Sequence, residues 1–417
     1  MSAGAEGAPL RAFAAVTAAY WAFMLTDGAL RMLVLLHFHT LGFTPLQLAG
    51  LFLLYEIAGV ATNLAAGFLG TRFGLAATLK AGLAIQVAAL LALAALDPAW
   101  AVGVSVAYVM AVQGLSGVAK DLSKTAAKSA VKALAGEGAL FRWVAALTGS
   151  KNAIKGLGFF LGAASLAAAG FVPALLAMAA GLGAILVAVV LLLPPGLPGA
   201  SRGARFRQVL SPSRAVNGLS LARMFLFGAR DAWFVVGLPL FLVEALAPVI
   251  GGGSAFFVTG GFMALWIVGY GAVQGFAPAI LRARGRSVAE IAAMAVDWAR
   301  VLTVVTGLAV LASVAPEGWR VPLVLLSLLA FGVAFALNSS LHSYLILAFA
   351  GEGRITMDVG FYYMANAAGR LIGTAASGLA YAWGGLPACL SAAAVLSLLS
   401  MTAARRLPEL AKRSQST

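Results

Sequence analysis

Eleven ionisable side chains lie in stretches of this sequence too apolar to leave them in water. The cations are Arg31, Lys151, Lys155, Arg223, Arg230, Arg300 and Arg370, and the acids are Asp27, Glu56, Asp231 and Asp297. Each charge placed in hydrocarbon costs on the order of 2.5–3.5 kcal/mol on insertion scales, so each asks for a reason. Asp297 and Arg300 are three apart near a span end and read as an interfacial pair without a binding role. Two readings stay open for the others. In the first, Asp27 pairs with Arg31 at i,i+4, Asp231 pairs with a neighbour, and the charges hold the fold together. In the second, the acids are too few for the cations, Lys155 and Arg370 have no acid nearby in their own spans, and an anionic guest supplies the missing charge. Arginine suits that task because its planar fork grips oxyanions in bidentate fashion.

Neutral polar groups accompany these charges. Asn152 precedes Lys155, Asn338-Ser-Ser-Leu-His342-Ser occupies one span, and Tyr362, Tyr363 and Asn366 precede Arg370. All can hydrogen-bond an oxyanion or a carboxylate. His342 also reads as a helix–helix hydrogen-bonding residue.

Scarcity excludes most other chemistry. One cysteine, Cys389, permits no intramolecular disulfide and no cysteine-rich metal site. His37 and His39, two apart, form a weak ligand pair with no acidic companion, so no metal or other cofactor is expected. There is no phosphate-binding loop of the G-x-x-x-x-G-K-[ST] type, no G-x-S-x-G elbow and no H-E-x-x-H, and an enzyme is not expected. No cleavable signal peptide is expected, because the first apolar stretch runs on too long.

The elements that must position these residues are membrane spans. The 417 residues are 62% hydrophobic and 10% charged, against about 45–50% and about 25% in a soluble domain. Apolar segments of helical length recur at about 12–39, 47–70, 75–96, 99–119, 142–170, 173–193, 216–243, 256–280, 289–314, 321–349, 360–383 and 386–403. The expected fold is an all-α membrane protein of twelve transmembrane helices. The ninth span is the least regular, with Glu290 and Asp297 in its first turns. With both termini on one side, twenty of the basic residues outside the spans share that side and only Arg320 lies opposite. That asymmetry puts both termini in the cytoplasm. The net charge of +14 is thus mostly a topology signal, and no nucleic-acid partner is expected.

The polar stretch Leu197–Arg214 divides the chain into six-helix bundles, 1–196 and 215–417, joined by a cytoplasmic loop, 197–214. The halves echo each other. Phe23-Met-Leu-Thr-Asp27-Gly-Ala in the first span resembles Phe227-Gly-Ala-Arg-Asp231-Ala in the seventh. Asn152-Ala-Ile-Lys155-Gly in the fifth resembles Asn366-Ala-Ala-Gly-Arg370 in the eleventh. Two parallel six-helix halves resemble the major facilitator architecture. So does Gly67-Phe-Leu-Gly-Thr71-Arg72-Phe-Gly74 after the second span, although Thr71 stands where that superfamily has an aspartate. Gly158-x-x-x-Gly162, Gly271-x-x-x-Gly275 and Gly369-x-x-x-Gly373 are expected to serve close helix packing.

Lys120, Lys124, Lys128 and Lys132 recur every four residues after the fourth span, one basic stripe on a helix. It reads either as a solvated or lipid-facing surface helix or as a cationic funnel for a polyanion.

Longer polar strings carry a more specific likeness. Tyr20-Trp-Ala-Phe-Met-Leu-Thr-Asp-Gly-Ala-Leu-Arg-Met-Leu-Val-Leu-Leu-His-Phe-His39 resembles the first helix of the ArsJ organoarsenical efflux transporters. So do Ala119-Lys-Asp-Leu-Ser-Lys124, Leu147-Thr-Gly-Ser-Lys-Asn-Ala153, Leu226-Phe-Gly-Ala-Arg-Asp-Ala-Trp-Phe234, Asn338-Ser-Ser-Leu-His-Ser-Tyr344 and Asp358-Val-Gly-Phe-Tyr-Tyr-Met-Ala-Asn-Ala-Ala-Gly-Arg-Leu-Ile-Gly373. The resemblance implies export of 1-arseno-3-phosphoglycerate across a bacterial cytoplasmic membrane, giving arsenate resistance. It also implies a functional partner, a glyceraldehyde-3-phosphate dehydrogenase that makes the cargo. A monomer in the lipid bilayer is expected.

Combined with the charge pattern, the expected site has Arg31 and Arg230 on one oxyanion and Lys155 and Arg370 on the other. Asn152, Asn338, Tyr363 and Asn366 orient the glycerate, and Asp27 and Asp231 take the arginines when the site is empty. Lys124, Lys151, Arg223 and His342 complete the candidate set. On this basis Arg31→Ala and Arg370→Ala are expected to fold but lose activity. Rival expectations are an exporter of another organophosphate, anion or drug-like molecule, or a non-transporting membrane assembly protein.

Overall fold

The computed structural model describes residues 3–134, 140–193, 211–283, 285–350 and 355–415, and every regular element among them is helical. The elements are α1 (Ala3–Thr40), α2 (Pro45–Phe73), α3 (Leu75–Ala94), α4 (Val102–Leu134), α5 (Leu140–Ala169), α6 (Phe171–Leu192), α7 (Arg214–Phe234), α8 (Gly237–Ile250), α9 (Gly252–Ile280), α10 (Val288–Ser313), α11 (Glu317–Phe349), α12 (Ile355–Ala404) and α13 (Leu407–Gln415). Apolar backbone in lipid must satisfy its own hydrogen bonds, which is why spans of Ala, Leu, Gly and Val resolve into helices.

Eleven stretches among the described residues are long and apolar enough to cross a membrane. The last, Asp358–Lys412, runs 55 residues. As one helix, the 50 residues of α12 would reach roughly 75 Å, more than twice the hydrocarbon thickness. The helix breaks instead at Gly384 and Gly385, which have non-helical dihedrals. Gly385 has φ +60°, a left-handed conformation that a side chain would oppose. The seventh span is likewise interrupted, between α7 and α8. The irregular ninth span is an ordinary helix, α10, and its awkward Glu290 is the third residue of a capping box with Ser287.

The chain divides into two compact units that interleave in sequence. Unit 1 comprises Met1–His37, Ala65–Phe206 and Phe256–Ile267, and unit 2 comprises Phe38–Leu64, Arg207–Ala255 and Val268–Thr417.

In unit 1, α1 and α5 meet backbone to backbone. A Cβ on Gly28 would stand 2.5 Å from the Lys155 carbonyl oxygen, and Cβ atoms on Gly158 and Gly162 would collide with the carbonyls of Leu25 and Ala29. α3 packs against α4 and α6. Polarity sorts these helices: α1, which carries Asp27 and Arg31, is mostly buried, whereas the far more apolar α6 is mostly exposed. The most apolar helix takes the most exposed position, as expected when the solvent is lipid.

In unit 2, α7 and α12 meet in the same manner. Gly369 lies on the Met224 carbonyl, and a Cβ on Gly373 would stand 2.5 Å from the Gly228 oxygen. Trp233, Phe331 and Phe335 form a buried aromatic core, with Trp233 edge-on to Phe331 at 5.4 Å. Leu407 and Ala411 of α13 are buried against Val216, Leu219 and Ile291. Two of the three glycine pairs thus pack helices as expected. In the third, Gly271 is buried, but Gly275 faces open space and lines a surface groove with Phe276, Pro278 and Arg282.

Candidate functional site

The glycine seams carry charge. Where α1 touches α5, Lys155 Nζ donates to Asp27 Oδ2 at 2.8 Å, and the Asp27 side chain is only 2% exposed. Where α7 touches α12, Arg370 Nε donates to Asp231 Oδ2 at 3.2 Å. The residues that echo each other in sequence, Asp27 with Asp231 and Lys155 with Arg370, therefore do the same thing in each unit. Each pair places an acid on one helix against a cation on its glycine-matched partner.

This arrangement corrects the expectation that Lys155 and Arg370 lack an acid. Each lacks one in its own helix but receives one across a helix contact. Arg370 receives two, since its Nη2 also donates to Glu56 Oε1 of α2 at 2.6 Å. Asp231 in turn accepts from Arg230 Nε at 2.6 Å. Unit 2 thus contains a chain Glu56–Arg370–Asp231–Arg230, with both acids 1% exposed. Removing one partner of such a buried pair costs about 3–5 kcal/mol. These cations are held by carboxylates and do not stand waiting for a guest. Glu56, outside the expected site set, is drawn into it; its signal was an acid in the middle of an apolar span.

Arg223 differs. It is buried, 6% exposed, and makes no ion pair among the described residues. Its Nε donates to Asn366 Oδ1 at 3.1 Å, and its Nη1 donates to the Ser339 carbonyl at 3.0 Å and the Ser339 hydroxyl at 2.9 Å. Gln274 Nε2 donates to that same hydroxyl at 3.0 Å. The guanidinium lies 4.2 Å from the Phe227 ring centroid and 5.1 Å from that of Tyr362. Arg230 lies 4.8 Å from the same Phe227 centroid and 5.5 Å from Phe335. One aromatic ring thus meets two guanidiniums, whose central carbons can be no more than about 9 Å apart. Phe227 was legible as the residue four after Arg223 and three before Arg230, where a helix puts neighbours. Ser339 belongs to the polar Asn338-Ser-Ser-Leu-His342-Ser string, whereas Gln274 and Phe335 carried no signal.

The other candidates distribute as follows. Arg31 and Asn152 are buried, Lys151 is half-buried, and neighbouring Ser150 accepts from Trp21 Nε1 at 2.8 Å. Asn338 and His342 are fully buried one turn apart on α11, and Tyr363 packs edge-on against Tyr362 at 5.6 Å. Arg300 and Asp297 pair at 2.7 Å with side chains 58% and 65% exposed, so the expected local pairing forms. His37 stacks on Phe171 with centroids 3.9 Å apart.

The lysine stripe needs correction. Lys120 and Lys124 are not on a solvated or lipid-facing surface helix but lie within α4, in the candidate crossing Val102–Ala127. Lys124 Nζ donates to the fully buried Asp121 at 2.6 Å, and Lys120 lies 3.9 Å from the same carboxylate. An acid interleaved with the lysines draws two of them inward. The side chains of Lys128 and Lys132 lie outside the described residues. No cluster of histidine, cysteine and carboxylate suited to a metal exists among the described residues.

No protein-family model matches the sequence, and no curated protein matches it. Solved structures do match in fold. A POT family transporter in complex with a thioalcohol-conjugated peptide superposes with TM-score 0.74 at 14% identity, over 96% of each chain. The nucleoside transporter NupG gives 0.69 at 16%, over 96% of this chain and 99% of the other. A bacterial homologue of the iron transporter ferroportin, in its inward-facing state, gives 0.69 at 17%, over 95% and 99%. At such identities the likeness is one of fold: along nearly its whole length, the chain has the all-helical fold of these multi-pass membrane transporters.

Proposed function

We propose that this protein is an efflux transporter for a small organic anion, and that its cargo is 1-arseno-3-phosphoglycerate. The observation that carries the anion is Arg223, a buried guanidinium whose polar partners among the described residues are a side-chain amide, a backbone carbonyl and a hydroxyl, with no carboxylate. A positive charge in a low-dielectric interior persists when something negative visits it. Around it, ion pairs among the described residues join Arg230 and Arg370 to Asp231 and Glu56, and none joins Arg223. The cargo itself comes from the resemblance of the long polar strings to ArsJ-type exporters. Its arsenate and phosphate groups would give Arg223 an anionic partner, and the dehydrogenase that makes it would be the functional companion.

In this reading Asp27–Lys155 and Glu56–Arg370–Asp231–Arg230 are the charge-paired frame, and Arg223 with Arg230 faces the cargo. Within unit 2, Tyr363 and Asn366 accompany these arginines, and the protein exposes its cargo alternately to either side of a bacterial cytoplasmic membrane. We further propose twelve crossings, with α12 counted as two on either side of Gly384–Gly385, cytoplasmic termini, a monomer, and 1–196 and 215–417 as the repeated bundles. A negative-inside potential would drive anion exit by about 2.3 kcal/mol per net charge at 100 mV.

Everted membrane vesicles test the assignment. Supplied with arsenate, glyceraldehyde 3-phosphate, the nicotinamide cofactor and the dehydrogenase, vesicles containing the protein should accumulate arsenic, and vesicles lacking it should not. Equal arsenic in both overturns the cargo. Labelled 3-phosphoglycerate entering without arsenate would favour another organophosphate.

A further inference from the structure

Next to Arg223, unit 2 encloses polar groups that its own helices do not satisfy. Asn338 and His342 are 0% exposed and Ser220 is 2% exposed. Neither polar atom of the Asn338 amide, neither ring nitrogen of His342, nor the Ser220 hydroxyl has a hydrogen-bond partner among the described residues. Buried donors and acceptors are rarely left so, because each forfeits its hydration without return. The groups are also close neighbours. Asn338 and His342 are four apart on α11, on one face. Ser339, beside Asn338, holds the Arg223 guanidinium through both its carbonyl and its hydroxyl. Arg223 interacts coulombically with His342, and Ser220 lies one turn before Arg223 on α7.

We propose that Arg223, Asn338, His342 and Ser220 form a subsite, enclosed within unit 2, for one tetrahedral oxyanion bound with a proton on it, as hydrogen phosphate and the monoanion of a phosphate or arsenate ester are. The inference rests on the anion-transport reading and deepens it by dividing the labour. The guanidinium supplies the charge. The amide N–H groups, the protonated imidazole nitrogen and the hydroxyl donate to the oxyanion oxygens. The amide oxygen and the second imidazole nitrogen are acceptors, and an acceptor needs a donor. A protonated phosphate offers one through its P–OH, whereas sulfate at neutral pH has none. The subsite therefore selects phosphate and arsenate over sulfate, a distinction that charge alone does not make.

Purified protein in detergent tests this without any transport step. Cys389 is the sole cysteine and is buried, so the rate of its modification by a thiol reagent reports opening of the fold. Inorganic phosphate should slow that modification in the wild type at a concentration about tenfold or more below the sulfate concentration needed for equal protection. Arg223→Gln should raise the phosphate requirement at least tenfold. Asn338→Ala and His342→Leu should bring phosphate and sulfate requirements together, and Arg300→Gln should change neither. If Arg223→Gln does not yield monodisperse protein, the Asn338 and His342 variants decide alone through that ratio. Equal protection by phosphate and sulfate in the wild type, or an unchanged ratio in both α11 variants, overturns the subsite. Phosphate-selective protection in a protein that moves no arsenic would overturn the cargo and leave the subsite standing.

Discussion

Arg370 gives the sharpest test of the charge-paired frame. Its guanidinium holds Glu56 at 2.6 Å and Asp231 at 3.2 Å, and both carboxylates are 1% exposed. Arg370→Leu takes the guanidinium from both. Asp231 keeps Arg230 at 2.6 Å, so the main cost falls on Glu56, and the loss of one partner from a buried pair is about 3–5 kcal/mol. Cys389 lies in the same unit, beyond the Gly384–Gly385 break, with its Sγ donating at 3.3 Å to the carbonyl of Ser377 on the Arg370 side of that break. Its modification therefore requires opening of that region. At 1.4 kcal/mol per factor of ten, the substitution should speed modification by about a hundredfold or more. Glu56→Gln leaves Arg370 with Asp231 and should cost about 1–3 kcal/mol. The double variant Glu56→Gln/Arg370→Leu should recover part of the loss, falling short of the sum by about 0.5–3 kcal/mol. A threefold or smaller change for Arg370→Leu in monodisperse protein, or strict additivity in the double variant, would refute the pairing and return Arg370 to the role of a free cargo ligand.

Gly369→Val should abolish monodisperse protein by size-exclusion chromatography, because its Cβ would meet the Met224 backbone, while Gly275→Ala should be silent. Asp297→Asn and Arg300→Gln should each leave Cys389 modification within about threefold of wild type, as an exposed pair contributes only about 0.2–1 kcal/mol. Ser287→Ala removes the cap that accepts from the Glu290 N–H at 3.3 Å, about 1 kcal/mol. It should speed hydrogen exchange at residues 288–291 and leave the rest of α10 unchanged. Lys155→Met and Asp27→Asn should each lower yield, and the double variant should yield more than either.

The difference between what the sequence made legible and what it did not is a matter of distance along the chain. Spans, their polarity and the break near residue 384 follow from local composition, and all are readable in windows of twenty residues. So is the i,i+3 pair Asp297–Arg300. The pairs that organise the interior join residues 128, 139 and 314 apart, and no window contains both members. Counting acids within each span therefore left Lys155 and Arg370 looking solitary when each was already matched. The internal repeat held the missing information. Asp27 echoes Asp231, Lys155 echoes Arg370, and glycine pairs mark the seams at Gly158–Gly162 and Gly369–Gly373. If a repeated acid and a repeated base lie on helices that glycines bring together, pairing between them is the economical arrangement, because neither charge could stay in lipid alone. By the same logic Arg223 stands out. Its counterpart position in the other half, four before Phe23 where Arg223 is four before Phe227, is Ala19. Arg230 is likewise unrepeated, with Thr26 at its counterpart, but it is paired with Asp231, whereas Arg223 is both unrepeated and without an ion pair among the described residues. The repeat and the hydrogen bonds, two independent lines, thus set Arg223 apart from the cations that pair with acids across helices.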